Sequence, residues 1–523
     1  MLLRFSPAGR EKTEIFMLCR RKTVRLGELC RMAALECPDE SADREITAIA
    51  MDSGRVSAGC LFICIRGLHT DGHRFIGDAV ARGAVCVLCE TGREPAPVTT
   101  LYSDNTRRAA ARLYNAFFGN PAASLKFIGV TGTNGKTTVT HMLRAILEMS
   151  MHRTGLIGTV GCESCGRHLA PQARDPLSNM TTPDPPDLYR MLREMVDDGV
   201  EYVLMEVTSH ALALGKLDPI RFRAGIFTNL TPEHLDFHKT MEAYAGAKAE
   251  LFRRAELSVI NTDSPYGEEM CRAAAGSCVC CSAVGRPADY RAENLHLGSR
   301  RGVEYELHSG KTRMKISCPI PGGFTVMNSM QAAACAVELG IGPPSIQDAL
   351  ASMTGVRGRM ERVRLGLYAD FSVLIDYAHT PDALEKLLRT ARDSGTDGQR
   401  IVLLFGCGGD RDRSKRAMMG SVAELYADRV IVTSDNSRTE DPAAIISDIL
   451  SGMRKRDAEV IPDRAEAIRH AVLTAQPHDL ILLAGKGHEE YEIDRQGRHP
   501  FSEREIVLAA SEERYRREIS GEP

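Results

Sequence analysis

The chain lacks any apolar run approaching the ~20 residues that a bilayer-spanning helix needs, so no segment reads as a membrane span. It also lacks a charge excess: 66 Lys and Arg stand against 69 Asp and Glu, a formal net charge of −3. That removes the electrostatic reason to expect nucleic acid or an anionic membrane surface as a partner. Residues Met1 to Lys22 mix Arg, Lys, Glu and Pro and lack the apolar centre of a secretory signal. They read as an N-terminal extension, with Met17 as an alternative start. There is no internal repeat and no low-complexity tract. The 16 cysteines are scattered. Cys162/Cys165 and Cys278/Cys280/Cys281 are tight groupings, and neither has the second well-spaced pair that a zinc site calls for. They read as reduced structural thiols, which makes a cytoplasmic setting the natural one.

What is present is more telling. A length of 523 residues suggests about three domains, each able to bury its own core. The apolar stretch Leu125 to Ile128 leads into Gly129-Val-Thr-Gly-Thr-Asn-Gly-Lys-Thr137. Val139, Met142, Leu143, Ile146 and Leu147 then recur at i, i+3, i+4, i+7 and i+8, one face of a helix. A Gly-rich turn between strand and helix is a phosphate cradle. Gly132, Thr133, Asn134 and Gly135 let backbone N–H groups approach the phosphates, and the helix N-terminus adds positive potential. Lys136 would reach the outer phosphates, and the Thr137 hydroxyl, followed by Thr138, would ligate Mg²⁺. Five residues, not four, separate Gly129 from Gly135.

Short apolar runs alternate with helical patterns throughout, which predicts an α/β fold of parallel sheets with crossover helices. We divide the chain into an extension (1–22), an N-terminal α/β domain (23–124), a central P-loop domain (125–356) and a C-terminal α/β domain (357–523). The strand candidates are Cys60–Ile65, Ala84–Leu88, Tyr202–Met205, Ala224–Phe227, Leu257–Ile260, Val373–Ile375, Ile401–Phe405, Val430–Thr433 and Leu480–Ala484. Glu206, Asn229, Asp376, Gly406, Asp435 and Gly485 follow these runs, where open α/β sheets bind ligands. Glu206 can share a Mg²⁺ with Thr137. His234, near His238 in the loop Thr228-Asn-Leu-Thr-Pro-Glu-His-Leu-Asp-Phe-His238, is a further metal candidate.

The three segments Gly-Thr-Asn-Gly-Lys-Thr, Glu206-Val-Thr-Ser-His-Ala-Leu212 and Asn229-Leu-Thr-Pro-Glu-His-Leu-Asp-Phe-His238 together resemble the Mur ligase superfamily of ATP-dependent amide-bond-forming enzymes, and its MurE type most closely. The resemblance runs from about Leu26 to Ala509. It implies a UDP-binding N-terminal domain, a central ATPase domain and a Rossmann-like C-terminal domain, acting as a cytoplasmic monomer in peptidoglycan precursor synthesis. It further implies catalytic roles for Lys136, Glu206, His234 and Lys248. Lys248, which read alone is a solvated helix lysine, would be the family's carbamylated lysine. A carbamate is an oxygen ligand suited to Mg²⁺.

The same resemblance assigns Ser53, His69 and Thr70 to the nucleotide sugar, with Gly54 standing where Arg is usual. Thr181, Thr182, Thr208, Ser209 and Lys216 fall to the muramoyl peptide, with Lys216 in place of Arg. Asn328, Arg359, Asp376 and Lys415 fall to ATP, and Thr325 replaces a usual Asn. Arg411, Asp435, Asn436, Ser437, Arg438, Gly485 and Glu489 fall to the incoming amino acid. Arg438 implies meso-diaminopimelate in preference to L-lysine, because it can pair with the second carboxylate. Ser437 replaces the family's Pro, leaving free a φ angle that Pro would fix. The rival readings are ligation of L-lysine or another diamino acid, a folylpolyglutamate synthase-like ligase, a P-loop phosphotransferase or nucleotide switch, and an inactive paralogue. The N-terminal module, the Lys248 motif and the intact catalytic set count against the last three.

Overall fold

The computed structural model describes residues 23–67, 70–170, 180–298, 302–353, 355–366, 369–394, 399–455 and 457–520. The chain forms two compact units. The first is drawn from Met1–Gly129, Arg153–Arg223 and His234–Glu256, and the second from Val130–His152, Ala224–Glu233 and Leu257–Pro523. Among the described residues, no helix is long and apolar enough to cross a membrane.

In the first unit the strands Ala48–Ala50, Cys60–Ile63, Ala84–Glu90 and Thr99–Ser103 pair in that order, all parallel. Val56, Cys60, Phe62, Cys64, Ala79, Val87 and Cys89 form their core. The helix Thr106–Phe117 follows, and the Asn105 side chain caps it by accepting the Arg108 N–H at 3.0 Å. Farther along, Thr154–Gly158 pairs in parallel with Tyr202–Glu206. The connecting helix Pro185–Asp197 buries Leu188, Met191, Leu192 and Met195, spaced i, i+3, i+4, i+7. Gly155 permits close approach there: a Cβ would lie 2.7 Å from the Met195 sulfur.

In the second unit Phe222–Phe227, from Gly225 onward, pairs in parallel with Leu257–Asn261, which pairs with Ser277–Ser282, which pairs with Tyr290–Gly298. Two further strands, Gly302–Ser309 and Arg313–Cys318, then extend the sheet antiparallel. This extension differs from the expected all-parallel pattern. Its residues alternate, with Val303, Tyr305 and Leu307, then Met314, Ile316 and Cys318, buried on one side. Half-exposed strands carry that period-2 signal and no continuous apolar run.

The C-terminal sheet has the order Glu361–Arg362, Ser372–Asp376, Leu480–Ala484, Ile401–Phe405, Arg429–Val432, Glu459–Val460. The last long strand is therefore inserted between the two long strands made first. Leu403, Phe405 and Leu482 face one core, while Val402, Leu404, Ile481 and Leu483 face another. Both faces are covered, which is why these strands read as unbroken apolar runs. Arg464 and Glu503 form a buried ion pair at 2.8 Å, with the side chains 0% and 2% exposed. Arg464 also donates to the Ser434 and Ala484 carbonyls at 3.1 and 2.8 Å, tying two strand ends to the helix Glu503–Ser520. Arg464→Leu should destabilise the C-terminal sheet by about 3–5 kcal/mol, because Glu503 is left charged and buried. Urea unfolding measures this, and a loss under about 1 kcal/mol would show the pair to be dispensable.

Candidate active site

The phosphate loop belongs to the second unit from Val130 onward. The strand Lys126–Thr131 enters it and the helix Lys136–Met149 leaves it. All five residues of the predicted helix face are buried. Gly132 and Gly135 adopt φ of +152° and +87°. A Cβ on Gly132 would collide with the Thr228 hydroxyl, and one on Gly135 would sit 2.7 Å from Asn328 Oδ1. These two positions therefore need glycine for space as well as conformation. The strand end Thr228–Thr231 braces the loop. Asn229 Oδ1 accepts the Asn134 N–H at 3.0 Å, the Asn229 carbonyl accepts the Thr133 N–H at 2.9 Å, and the Thr228 hydroxyl donates to the Asn134 carbonyl at 2.6 Å. Lys136 Nζ donates to the Gly132 and Thr133 carbonyls, both at 2.9 Å. Its ammonium is thus folded over the loop that would hold the phosphates. Thr137 and Thr138 are buried at the helix start, and Asn328 packs its carboxamide beside Gly135.

The second group of predicted residues lies in the first unit. Glu206 ends the strand Tyr202–Glu206 and is 1% exposed. Its carboxylate accepts from the Thr159 N–H at 2.8 Å and the Thr159 hydroxyl at 3.0 Å. Thr181 and Thr182 join this network. Thr181 Oγ1 is 3.1 Å from Thr159 Oγ1, and Thr182 Oγ1 donates to the Glu206 carbonyl at 2.8 Å and lies 3.2 Å from Thr208 Oγ1. Thr208 caps the short helix Ser209–Ala213 by accepting the Ala211 N–H. Lys216 is buried and paired with Asp184 at 2.8 Å.

His234 caps the turn Leu235–His238 with φ +58°. Its ring is 4.9 Å from that of His210 and 6.2 Å from that of Tyr244. His238 stacks on Tyr244 at 5.1 Å and meets the Ser209 hydroxyl at 2.9 Å. Lys248, on the helix Met241–Phe252, is 2% exposed, with Nζ 4.7 Å from the Tyr244 ring centre. It is not the solvated helix lysine that a reading of its segment alone suggests.

In the N-terminal sheet Ser53 opens a turn capped by Asp52, whose carboxylate accepts the Gly54 N–H at 2.9 Å. Gly54 has no unusual backbone angle, and a Cβ there would press only on the Asp52 carboxylate, at 3.3 Å. Thr70 is exposed, with its carbonyl accepting the Gly67 N–H, and His69 lies outside the described residues. The neighbouring Asp71 carboxyl is held down to about 2 by its hydrogen bonds with His73.

The remaining residues line the carboxyl ends of the C-terminal strands. Both oxygens of Asp376 accept backbone N–H groups, from Met360 and Ala378, each at 2.8 Å. Burial nevertheless pushes its carboxyl up, against the opposing field of Arg359. Arg359 lies over the Tyr377 ring at 4.7 Å. Lys415 donates to the His379 carbonyl at 2.8 Å, and burial lowers its ammonium from the ordinary lysine range.

Asp435, Asn436 and Ser437 are all buried. Lys486, 0% exposed, donates to Asn436 Oδ1 at 3.0 Å and lies 3.7 Å from Asp435 Oδ1. Asn436 in turn donates to Glu489 Oε2 at 2.7 Å. Burial would raise the Asp435 carboxyl, but Lys486 and Arg464 outweigh it and leave it below the usual range. Glu489 is raised, by burial first and then by Asp435. Gly485, with φ +116°, leaves room for Asp435: a Cβ would lie 2.7 Å from its Oδ2. Arg438 takes φ +51°, and its Nη1 donates to the Gly409 carbonyl at 2.8 Å and the Asn436 carbonyl at 3.3 Å. Arg411 is exposed near Gly408. The Ser437 segment is not loosened by the missing Pro, since Ser437 is 5% exposed and its carbonyl accepts the Glu440 N–H at 3.0 Å.

Three residues with clear positions went unassigned in the sequence. Thr159 follows a strand hidden by its two glycines, His210 stands four residues after Glu206, and Lys486 lies between Gly485 and Gly487. A strand-end rule applied to Thr154–Gly158 would have found the first.

Three family models match the chain: the Mur ligase family catalytic domain over residues 45–128, the Mur ligase middle domain over 130–336, and the Mur ligase glutamate ligase domain over 358–487. A Syntrophomonas wolfei protein named UDP-N-acetylmuramoyl-L-alanyl-D-glutamate–2,6-diaminopimelate ligase is 41% identical over 497 residues, covering 92% of this chain and 98% of that protein. The Chlorobaculum tepidum protein of the same name is 43% identical over 487 residues, covering 90% and 93%. A solved structure, also of that name, superposes with a TM-score of 0.67 at 29% identity, covering 94% of this chain and 99% of that one. A Mycobacterium tuberculosis folylpolyglutamate synthase bound to ADP and AMPPCP has a TM-score of 0.58 at 19% identity, a likeness of fold alone. With all three domains matched in order, and relatives above 40% identity along nearly its whole length, the chain belongs to the Mur ligase family, beside its MurE-type members.

Proposed function

We propose that this chain is an ATP-dependent ligase that joins meso-diaminopimelate to UDP-MurNAc-L-Ala-D-Glu, acting in the cytoplasm as a monomer in peptidoglycan precursor synthesis. ATP passes its γ-phosphoryl group to the free carboxylate of the D-Glu residue, giving an acyl phosphate and ADP. The amine of diaminopimelate attacks the acyl carbon, a tetrahedral intermediate forms, and phosphate leaves as the amide bond closes. Lys136 and the helix N-terminus face the charge that moves with the phosphoryl group. The backbone of Gly132 to Gly135 holds the outer phosphates in one geometry, so little reorganisation is needed as the bond breaks.

The donor chemistry suits Mg²⁺. Glu206 offers a carboxylate already oriented by Thr159, His210 and His234 offer imidazoles, and Thr137 offers a hydroxyl. A buried Lys248 ammonium cannot ligate a cation, whereas its carbamate supplies two oxygens. We therefore assign Glu206, His234 and carbamylated Lys248 as residues that would hold Mg²⁺, and Thr137 as a Mg²⁺ ligand at the phosphate loop; the ion when bound would neutralise phosphate charge.

The observation that carries the choice of amino acid is the array at the C-terminal strand ends. Arg438 is fixed there by two carbonyls, beside the Asp435–Lys486–Asn436–Glu489 chain. The distal centre of diaminopimelate is a zwitterion. Arg438 can take its carboxylate bidentately, and Asp435 with Glu489 can take its ammonium. L-lysine would leave Arg438 without an anion, a loss on the order of 2–5 kcal/mol. Wild-type kcat/KM should thus favour diaminopimelate over L-lysine by at least about 30-fold, and Arg438→Ala should erase that preference by crippling diaminopimelate use. Equal or better use of L-lysine by the wild type would overturn the assignment.

A further inference from the structure

A second cluster of reactive side chains lies in the second unit, outside every group described above. The helix Gly267–Ala273 carries Cys271, and the strand Ser277–Ser282 that follows carries Cys278, Cys280 and Cys281. Alternation along the strand puts Cys278 and Cys280 on one face and Cys281 on the other. Burial follows suit: Cys281 is fully enclosed, while Cys271, Cys278 and Cys280 are only partly buried. The sulfurs of Cys271, Cys278 and Cys280 lie within 4.8 Å of one another, and those of Cys271 and Cys280 are 3.7 Å apart. Asp289 closes the group: its Oδ2 accepts the Cys280 N–H at 2.8 Å.

In the sequence the Cys278/Cys280/Cys281 grouping lacked the second well-spaced pair that a zinc site calls for. The third sulfur comes from the preceding helix, seven residues before Cys278, where no spacing rule places it. Zinc–sulfur bonds of about 2.3 Å in a tetrahedron set sulfur–sulfur separations of roughly 3.8 Å. One of the three edges already has that length, and the others need to close by at most about 1 Å. Among the described residues the other sulfur-bearing cluster, Cys64, His73 and Cys89, does not fit. His73 uses Nδ1 on Asp71, at 2.6 Å, and Nε2 to accept the Glu90 N–H, at 3.1 Å.

We propose that Cys271, Cys278 and Cys280 form a binding site for a thiophilic d¹⁰ cation, Zn²⁺ or Cu⁺, with the Asp289 carboxylate or a water as the fourth ligand for Zn²⁺. Each ligating thiol gives its proton to solvent as its sulfur bonds to the metal, with no change of oxidation state. Thiolate ligands select these ions over Mg²⁺, so the site does not compete for the metal that the ligase chemistry uses. The cation would clip the helix to the strand, as structural zinc sites do.

The test uses the full chain, reduced and stripped of metal, in excess Mg²⁺ to keep oxygen-donor sites occupied. Zn²⁺ is titrated against a chromophoric chelator, and Cu⁺ against a Cu⁺-specific one. One equivalent of at least one of the two should bind with Kd of about 100 nM or tighter. Cys278→Ser should weaken it at least about 100-fold, while ligation stays within about twofold of wild type. Wild-type protein loaded with Co²⁺ should show thiolate-to-cobalt charge-transfer absorption, a readout that needs no variant. Binding of both ions weaker than about 10 μM, no thiolate band with Co²⁺, or an undiminished equivalent in the triple Cys→Ser variant would each overturn the proposal.

Discussion

Lys136→Ala should lower kcat for ligation by about 10³-fold or more, while binding of UDP-MurNAc-L-Ala-D-Glu stays within a few-fold of wild type. The size follows from where the ammonium sits. Its two hydrogen bonds to the Gly132 and Thr133 carbonyls hold it over the loop, at no further ordering cost when ATP arrives. A positive charge placed beforehand acts on the transferring phosphoryl group without having to be brought there. Alanine removes that charge and also the brace between the loop and its own helix. Under the proposed function the muramoyl substrate docks on other residues, so its binding is the internal control. Isothermal titration with the UDP substrate and a phosphate-release assay separate the two effects. Near-normal turnover in this variant would remove the phosphate-loop assignment altogether, and a matching loss of UDP-substrate affinity would point to misfolding.

Lys248→Ala should cost about 10²-fold or more in kcat, and a short carboxylate such as acetate or propionate should restore at least about tenfold of the loss. The Lys248 side chain is only 2% exposed, with its Nζ 4.7 Å from the Tyr244 ring centre, so bulk water is largely kept from it. A lysine in its neutral form can add CO₂: the nitrogen bonds to carbon, one proton leaves, and an anionic carbamate remains. Rescue by a free carboxylate separates ligand chemistry from a mere packing defect, because acetate cannot refill the volume of a lysine stem. Carbon-13 NMR of wild-type protein in labelled bicarbonate gives an independent reading. A wild-type spectrum without a carbamate signal, in a sample that is fully active, would dispose of the idea.

The parts of this chain that were legible beforehand share one property: they announce themselves in a single segment. The helix Lys136–Met149 shows its period, and the C-terminal strands show as apolar runs because helices cover both faces of their sheet. Glu206, Asp376, Asp435 and Gly485 then follow from standing where such strands end. What was missed is what only the fold assembles. Thr159 meets Glu206 across 47 positions of sequence, and Lys486 meets Asn436 across 50. The antiparallel strands Gly302–Ser309 and Arg313–Cys318 have one polar side, so no apolar run marks them. Cys271 reaches its two companions through a helix-to-strand turn that no spacing pattern describes. Lys248 is the sharpest case, since its helix segment read alone looks solvated, whereas in the fold the side chain is 2% exposed.

The placement of Leu480–Ala484 between Ser372–Asp376 and Ile401–Phe405 has a consequence for how the protein is born. On the ribosome the two flanking strands emerge first, and neither can pair with the other, because the seat between them is reserved. About 75 residues separate Phe405 from Leu480, so at 5–20 residues per second the gap stays open for about 4–15 s. Throughout that interval the nascent chain carries two apolar strands with open edges, the surface that holdase chaperones recognise and that aggregation exploits. A chain ended at Asp479 would accordingly be a protease-sensitive, chaperone-bound fragment and not a smaller working domain; a soluble, protease-resistant product of that length would refute this order of assembly.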